Sequence, residues 1–203
     1  MLFCRLILLG IAASSLSACH FGNRNPDWQV NRKLHKKADA TKTTIQVSLY
    51  DQKAWLLDAQ GRVLVKTNVS TGVPGHETPQ GKFKVLERLE SKRSNKYGRY
   101  VNKQTRKIVV DKSWLHTGPP PEGTEYEGIS MPYWMRLTWY GVGMHVGKFP
   151  PRTRCSFGCI RVFKEAQPWI YQKTQLGTEV EIVPHSLIRE MYPKEKFGIR
   201  SYF

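Results

Sequence analysis

The segment GMHVGKFPPRTRCSFGCIRV, residues 143–162, brings a histidine, two cysteines and an arginine together. A cysteine attacks as its thiolate, which a nearby imidazole or guanidinium promotes. His145 precedes Cys159 by 14 residues, and a connection turning at Pro150-Pro151 can bring both side chains to one rim. Arg161 lies on the same face as Cys159 if the segment is extended. These residues predict a thiol nucleophile at Cys159 with His145 as its proton acceptor.

Neighbouring residues fit the same interpretation but leave others open. Gly158 lets backbone amides approach a substrate carbonyl, where they can stabilise an oxyanion. Arg161 can lower the pKa of the thiol or bind a substrate carboxylate. Three alternatives remain: a buried structural cysteine, a Cys155–Cys159 disulfide, or a zinc site that uses His145, Cys155 and Cys159.

Two separated motifs carry a resemblance to a known family. Gly143-Met144-His145, followed by Ser156-Phe157-Gly158-Cys159-Ile160-Arg161, resembles the signature of the L,D-transpeptidase (YkuD) catalytic domain. A second block, Val69-Ser70-Thr71-Gly72 and then Thr78-Pro79-Gln80-Gly81-Lys82-Phe83, is similar to the STG…TPxGxF segment of that family. The likeness extends over residues 44–184 with the motifs in the family's order, which makes it specific.

The resemblance implies a fold, an activity and a set of roles. The fold is a β-sandwich or mixed sheet with a short helix after the catalytic motif. The activity is acyl transfer from a peptidoglycan stem tetrapeptide through a thioester on Cys159 to an amine, without a cofactor or metal. His145 donates and accepts protons, the backbone at Gly158 forms an oxyanion hole, and the backbone carbonyl of Val146 orients His145. Arg161 and Ser156 are expected to bind substrate.

Some positions depart from the family pattern. Phe157 stands where the family often has histidine, and Val146 stands where glycine is common. Cys155 is an extra thiol, and a reversible bridge to Cys159 is a hypothesis for redox control. Residues 185–203 have no counterpart in the family and form an extension of unknown role.

The remaining sequence independently predicts a mainly β domain. Ile45, Val47 and Leu49 alternate with polar residues, as in a half-buried strand. A hairpin joins 54–57 to 63–65 through a turn that contains Gly61. Further strands are predicted near 83–89, 108–110, 135–139, 142–146 and 180–183. A helix is predicted over Lys164 to Gln175, and loops over 91–106 and 116–133, the second long enough to be a lid.

The N-terminal residues predict export. Arg5 precedes a short apolar run, Leu6 to Ala13, of the length of a signal-peptide core. Leu16-Ser17-Ala18-Cys19 resembles a lipobox, which implies cleavage of residues 1–18 and lipidation of Cys19. An ordinary secretory signal is the alternative. Residues 19–43 are polar and basic, which predicts a tether between the lipid and the domain.

Composition and signal together suggest a compartment. The chain carries 32 Lys and Arg against 16 Asp and Glu, a formal net charge of +16. An exported protein with this charge meets anionic wall polymers and lipids, so nucleic-acid binding is not expected. We expect a membrane-anchored lipoprotein that faces the periplasm or cell wall. His20 after Cys19 favours the outer membrane in a Gram-negative cell.

Two further classes of function stay open at this stage. One is an L,D-carboxypeptidase or a hydrolase of the same linkages, in which water replaces the amine. The other is a non-catalytic wall-binding lipoprotein that acts through its basic arm. The sequence leaves the acyl acceptor and the oligomeric state open.

Overall fold

The fold is built from two β-sheets, as seen in a computed structural model that describes residues 27–191. The larger sheet has ten strands and the smaller has three. The strands are β1 Trp28–Val30, β2 Thr44–Ser48, β3 Lys53–Leu57, β4 Val63–Ser70, β5 Gly81–Lys84, β6 Glu87–Leu89, β7 Arg93–Asn102, β8 Ile108–Val110, β9 Thr124–Ser130, β10 Trp134–Arg136, β11 Gly143–Val146, β12 Ile160–Val162 and β13 Glu179–Val183.

The larger sheet runs in the order β5-β13-β2-β3-β4-β12-β11-β10-β6, and β1 pairs with β4. Most neighbours are antiparallel, but β2 pairs parallel with β13 and β11 pairs parallel with β12. The predicted mainly β, mixed-sheet fold is therefore confirmed. The run from 83 to 89, predicted as one strand, is divided into β5 and β6, which lie at opposite ends of this order.

The core lies against the larger sheet. Alternate residues of β2 and β13, among them Ile45, Val47, Val180 and Ile182, are almost fully buried. They pack with buried side chains of β3, β4, β11 and β12 in one cluster. This apolar burial is the main stabilising contribution and holds β11 and β12 at a fixed position.

Three short α-helices complete the described chain: α1 Arg32–Lys37, α2 Gln167–Gln172 and α3 Ile188–Met191. Helix α2 follows the 143–162 segment, as predicted, but is shorter than the predicted 164–175. Pro168 lies in its first turn, where a missing N–H costs nothing, and Lys173 ends it. Gly177 takes a φ of +84° in the turn that leads to β13, beyond the end of the helix.

The predicted tether over residues 19–43 is wrong for its described part, residues 27–43. Strand β1 pairs with β4, with Gln29 opposite Lys66. In α1, His35 is buried, and its Nε2 lies 2.8 Å from the backbone O of Trp169. Lys173 also contacts this segment, because its Nζ donates a hydrogen bond to the carbonyl of Ala38 at 2.8 Å. The folded domain thus begins before residue 44.

The smaller sheet includes parts of both predicted loops. It runs in the order β8-β7-β9, and β7 alone spans ten residues. Its register breaks between Arg93 and Gly98, so that residues 94–97 bulge out of the ladder. Ion pairs stabilise the smaller sheet. In one of them, Arg99 Nη2 lies 2.8 Å from Glu127 Oε2. The predicted loops at 91–106 and 116–133 are therefore wrong where β7 and β9 form.

The described part of the C-terminal extension also packs on the domain. Leu187 is buried in a small cluster with Trp55 and Leu57. Its backbone N donates to Asp51 Oδ2 at 2.8 Å. The signal peptide at 1–18, Cys19 and the end of the extension fall outside the described residues. Within 27–191, no helix is long and apolar enough to cross a membrane.

Replacing His35 with alanine tests whether α1 belongs to the domain. The change removes the hydrogen bond to Trp169 and an edge-on contact with its ring. We expect the free energy of unfolding to fall by about 1–3 kcal/mol in urea titrations. Lys36→Ala, an exposed position on the same helix, is the control and should change little. If both variants keep the wild-type free energy of unfolding, the tether interpretation would be restored.

Candidate active site

Two parallel strands bring the predicted catalytic residues together. In the β11–β12 pair, His145 lies opposite Arg161, and Met144 lies opposite Ile160. Met144 and Ile160 are fully buried in the core, which turns His145 and Arg161 to the other face. Cys159 directly precedes β12 and, like those two residues, lines the cleft on that face. The structure thus joins His145, Cys159 and Arg161 in one site.

The segment that carries the nucleophile is held by the second sequence motif. The backbone N–H groups of Cys155 and Ser156 both donate to the carbonyl of Thr71, at 3.2 and 3.1 Å. Ser156 forms a bridge with Gly72, and its carbonyl accepts from the N–H of Val73 at 3.0 Å. The two motifs that lie far apart in sequence are therefore hydrogen-bonded to each other.

Thr78 links the same motifs through its side chain. Its buried Oγ1 accepts from the N–H of Gly72 at 2.9 Å and donates to the carbonyl of Gly158 at 2.8 Å. The chain at residues 76–78 crosses so close over Gly72 that a Cβ there would collide with the carbonyl of His76. Gly72 is thus required by this close approach, which places Thr78 beside the nucleophile turn.

The turn before the nucleophile depends on Gly158 and Ser156. Gly158 has a φ of +109°, which only glycine adopts without strain. Ser156 Oγ donates to the carbonyl of Cys159 at 2.5 Å and accepts from the N–H of Gly158 at 3.2 Å. Ser156 is buried, so in this structure it shapes the turn from beneath. The N–H of Gly158, predicted for the oxyanion hole, is occupied by Ser156.

His145 is held in one orientation by its neighbour. Its Nδ1 lies 2.7 Å from the backbone O of Val146, the contact that the sequence predicted. Because a carbonyl only accepts, Nδ1 carries the proton and Nε2 is left as the basic nitrogen. The pKa of His145 is lowered to about 4, chiefly by burial and also by the positive charge of Arg161, against an opposing effect of the Val146 hydrogen bond.

The thiol of Cys159 has the opposite shift. Burial raises its pKa above the ordinary value, although a hydrogen bond from the N–H of Gly143 and the charge of Arg161 lower it. The thiol donates a hydrogen bond to the backbone O of Gly141, with Sγ and O 3.6 Å apart. At neutral pH the site therefore holds a neutral imidazole and a neutral thiol.

A cleft of about 570 Å³ opens in front of Cys159 and His145. One wall comes from the larger sheet, and the other from Tyr97 and Ile129 of the smaller sheet together with Trp114, which lies in the segment between β8 and β9. The ring of Phe157 stacks on Tyr97, with ring centroids 5.1 Å apart, and meets Trp114 edge-on at 6.0 Å. The bulge in β7 thus presents Tyr97 to the residue that departs from the family pattern.

The alternatives based on Cys155 find no support in its surroundings. Cys155 and Cys159 are both free thiols. Cys155 Sγ lies 3.2 Å from Ser70 Oγ and 3.4 Å from Arg161 Nη1. Among residues 27–191, no three His, Cys, Asp or Glu side chains are grouped as metal ligands. In the described fold, Cys155 contacts groups that surround the nucleophile segment.

Several residues of the site escaped sequence reasoning. Gly143 and Gly141 contact the thiol through their backbones, which no side-chain pattern reveals. Tyr97 and Trp114 lie in segments that have no strand periodicity. Thr78 had a signal, because it belongs to the second motif, but its role as a bridge to Gly158 emerges only from the fold.

Comparison with known proteins agrees with this geometry. Residues 42–182 match the family described as the YkuD L,D-transpeptidase catalytic domain. The chain belongs to this family. The match extends over nearly the same residues as the predicted likeness, 44–184. Among curated protein sequences, none matches the chain.

Solved structures of L,D-transpeptidases share the fold. One from Stackebrandtia nassauensis superposes with a TM-score of 0.52 at 20% identity, over 71% of this chain and 56% of that chain. One from Mycobacterium smegmatis gives a TM-score of 0.53 at 17% identity, over 70% and 58%. An L,D-transpeptidase in complex with imipenem gives 0.50 at 19% identity, over 70% and 58%. The chain thus spans less than two thirds of the length of these relatives.

Thr78→Val tests the bridge between the two motifs. The substitution keeps the shape but leaves the N–H of Gly72 and the carbonyl of Gly158 unpaired. We expect the free energy of unfolding to drop by about 1–3 kcal/mol. We also expect a changed rate of Cys159 alkylation by iodoacetamide, since the nucleophile turn loses its support. Thr78→Ser keeps the hydroxyl and should restore both properties, whereas wild-type behaviour of the valine variant would contradict the bridge.

Proposed function

We propose that the protein is a peptidoglycan L,D-transpeptidase with Cys159 as its nucleophile. The observation that carries the proposal is that Cys159 and an oriented His145 line one cleft, in a chain of the L,D-transpeptidase family. The donor is a stem tetrapeptide, cleaved between its third residue, a diamino acid, and its terminal D-Ala.

In the first half-reaction, Cys159 Sγ attacks the donor carbonyl. His145 accepts the thiol proton at Nε2, and the C–N bond breaks as His145 returns that proton to the amine of the leaving D-Ala. Because the thiol and the imidazole are both neutral at rest, proton transfer accompanies the attack instead of preceding it. The carbonyl of Val146 stabilises the imidazolium that forms.

The developing oxyanion requires backbone donors near Sγ. The N–H of Gly143, which contacts the thiol, is one such donor. The N–H of Gly158 can contribute if it leaves Ser156 Oγ as substrate enters, so the predicted role of Gly158 stays a proposal. Ser156 supports this turn from below and thus acts on substrate through the backbone.

In the second half-reaction, an amine attacks the thioester carbonyl and gives up a proton to His145 Nε2. The C–S bond then breaks, and that proton returns to Cys159 Sγ. A stem diamino acid as acceptor gives a 3–3 crosslink, which we propose as the main product. Water as acceptor gives a tripeptide, the outcome expected of a carboxypeptidase.

We further propose that the reaction takes place outside the cytoplasm. Support comes from the predicted signal in residues 1–18 and the lipobox at Cys19, which agree with a substrate in the cell wall. In this proposal the lipid on Cys19 anchors the protein to a membrane, and its positive charge favours contact with anionic polymers.

Acylation of Cys159 is directly measurable. Imipenem is bound by a structurally similar L,D-transpeptidase and serves here as the probe. We expect intact mass spectrometry to show one covalent adduct, mapped to Cys159 and abolished in Cys159→Ala. Cys155→Ala removes the neighbouring thiol and should keep the adduct. An adduct on Cys155, or none on any residue, would contradict the nucleophile assignment.

Product analysis with purified stem tetrapeptides tests the transfer itself. We expect wild-type protein to release D-Ala and form crosslinked dimers, and Cys159→Ala to form none. Tripeptide alone would identify a hydrolase. Absence of any product from the wild type, under conditions that give the imipenem adduct, would favour the wall-binding alternative.

The pH dependence of donor consumption tests the neutral pair. Because the pKa of His145 lies near 4, the imidazole stays basic as pH falls through the ordinary histidine value of 6.5. We therefore expect a nearly flat rate from pH 8 to pH 5. A midpoint near 6.5 would contradict the lowered pKa. A rise of about tenfold per pH unit would instead indicate attack by a pre-formed thiolate.

A further inference from the structure

The cleft has an uneven distribution of charge. Among the described residues that line it, Lys148 and Arg161 are the cations, since His145 is neutral, and none carries a carboxylate. Much of the remaining lining is apolar or aromatic and includes Met131, Pro132 and Trp114. A pocket of this kind favours a ligand that is partly apolar and carries negative charge at one end.

The two cationic residues are neighbours in the cleft lining. The side chain of Arg161 runs across Gly147, where an added Cβ would come within 2.7 Å of Arg161 Cγ. Its Nη1 then reaches the backbone O of Lys148 at 3.4 Å. Because Gly147 has no side chain, the side chain of Arg161 can cross it, and the guanidinium lies beside the backbone of Lys148.

Both cations have donors available. Arg161 uses Nη1 for the carbonyl of Lys148 and for Cys155 Sγ, and a guanidinium has further N–H groups. The side chain of Lys148 is exposed. Neither residue takes part in an ion pair with a carboxylate within residues 27–191. A carboxylate that enters the cleft would supply that partner.

We propose that Lys148 and Arg161 bind a carboxylate of the acyl donor and that Lys148 is a specificity-determining residue. The inference rests on the proposed function, because the donor is a stem tetrapeptide. Two carboxylates flank its scissile bond: that of the terminal D-Ala and, where the diamino acid has one, that of its side chain. Arg161 also shifts the pKa values of His145 and Cys159, whereas the exposed side chain of Lys148 can be varied separately.

The test compares three donors that differ only in charge. The first is a tetrapeptide with both carboxylates free, the second has an amide at the terminal D-Ala, and the third has an amide on the side-chain carboxylate. We expect wild-type protein to prefer the first over one of the amides by roughly 3- to 10-fold in kcat/KM. The amide that loses rate identifies which carboxylate is bound.

Lys148→Gln then removes one cation. We expect this variant to lose most of the preference for the free carboxylate while it keeps its rate on the matching amide. Lys107→Gln removes an equal charge from an exposed position in the connection between β7 and β8, which does not line the cleft. This control should keep the wild-type preference, which separates a local contact from an effect of net charge.

The outcomes separate this inference from the proposed function. Equal rates on all three donors, or an unchanged preference in Lys148→Gln, would overturn the role of Lys148 and leave the transpeptidase proposal standing. An equal loss of preference in Lys107→Gln would also overturn it. If wild-type protein consumes none of the donors, the proposed function fails and the inference fails with it.

Discussion

The close crossing at Gly72 is the constraint on which the site depends. Because Gly72 has no side chain, residues 76–78 pass directly over it, and the hydroxyl of Thr78 reaches both its N–H and the carbonyl of Gly158. That single buried hydroxyl connects residues 70–72, at the end of β4, to the turn before Cys159 through hydrogen bonds. Since each buried polar group here has a partner, displacement of the turn would leave at least two unpaired. The nucleophile is thus held by a backbone scaffold more than by its own side-chain contacts.

The electrostatics of the site follow from where this scaffold puts the reactive groups. Burial disfavours charge on both His145 and Cys159, and so the pair stays neutral although a thiolate–imidazolium pair is the more reactive form. Arg161 favours the thiolate but disfavours the imidazolium, so it cannot by itself drive proton transfer from Cys159 to His145. In the proposed reaction, a substrate that excludes water and brings an electrophilic carbonyl to Sγ supplies the missing driving force. Before substrate binds, both groups stay neutral at neutral pH.

Sequence reasoning succeeded where one physical signal dominated. Alternation at Ile45, Val47 and Leu49 predicted β2, and the spacing of His145 and Cys159 predicted a shared rim. Sequence reasoning failed where polar contacts stabilise the structure. The smaller sheet relies on pairs such as Arg99–Glu127 and on the stacking of Tyr97 with Phe157, which produce no apolar period. The segment before residue 44 was mistaken for a tether for the same reason, since His35 docks by a hydrogen bond to a residue 134 positions away.

The parallel pairing of β2 with β13 has a consequence for how the chain becomes a domain. Gln46 and Glu181, which face each other across this pair, are 135 residues apart in sequence. Strand β13 lies between β2 and β5, so these early strands have no lasting partner on that side until the last strand arrives. The folding rate falls as such distant contacts come to dominate. An emerging chain therefore cannot complete the larger sheet until nearly all of it has been synthesised.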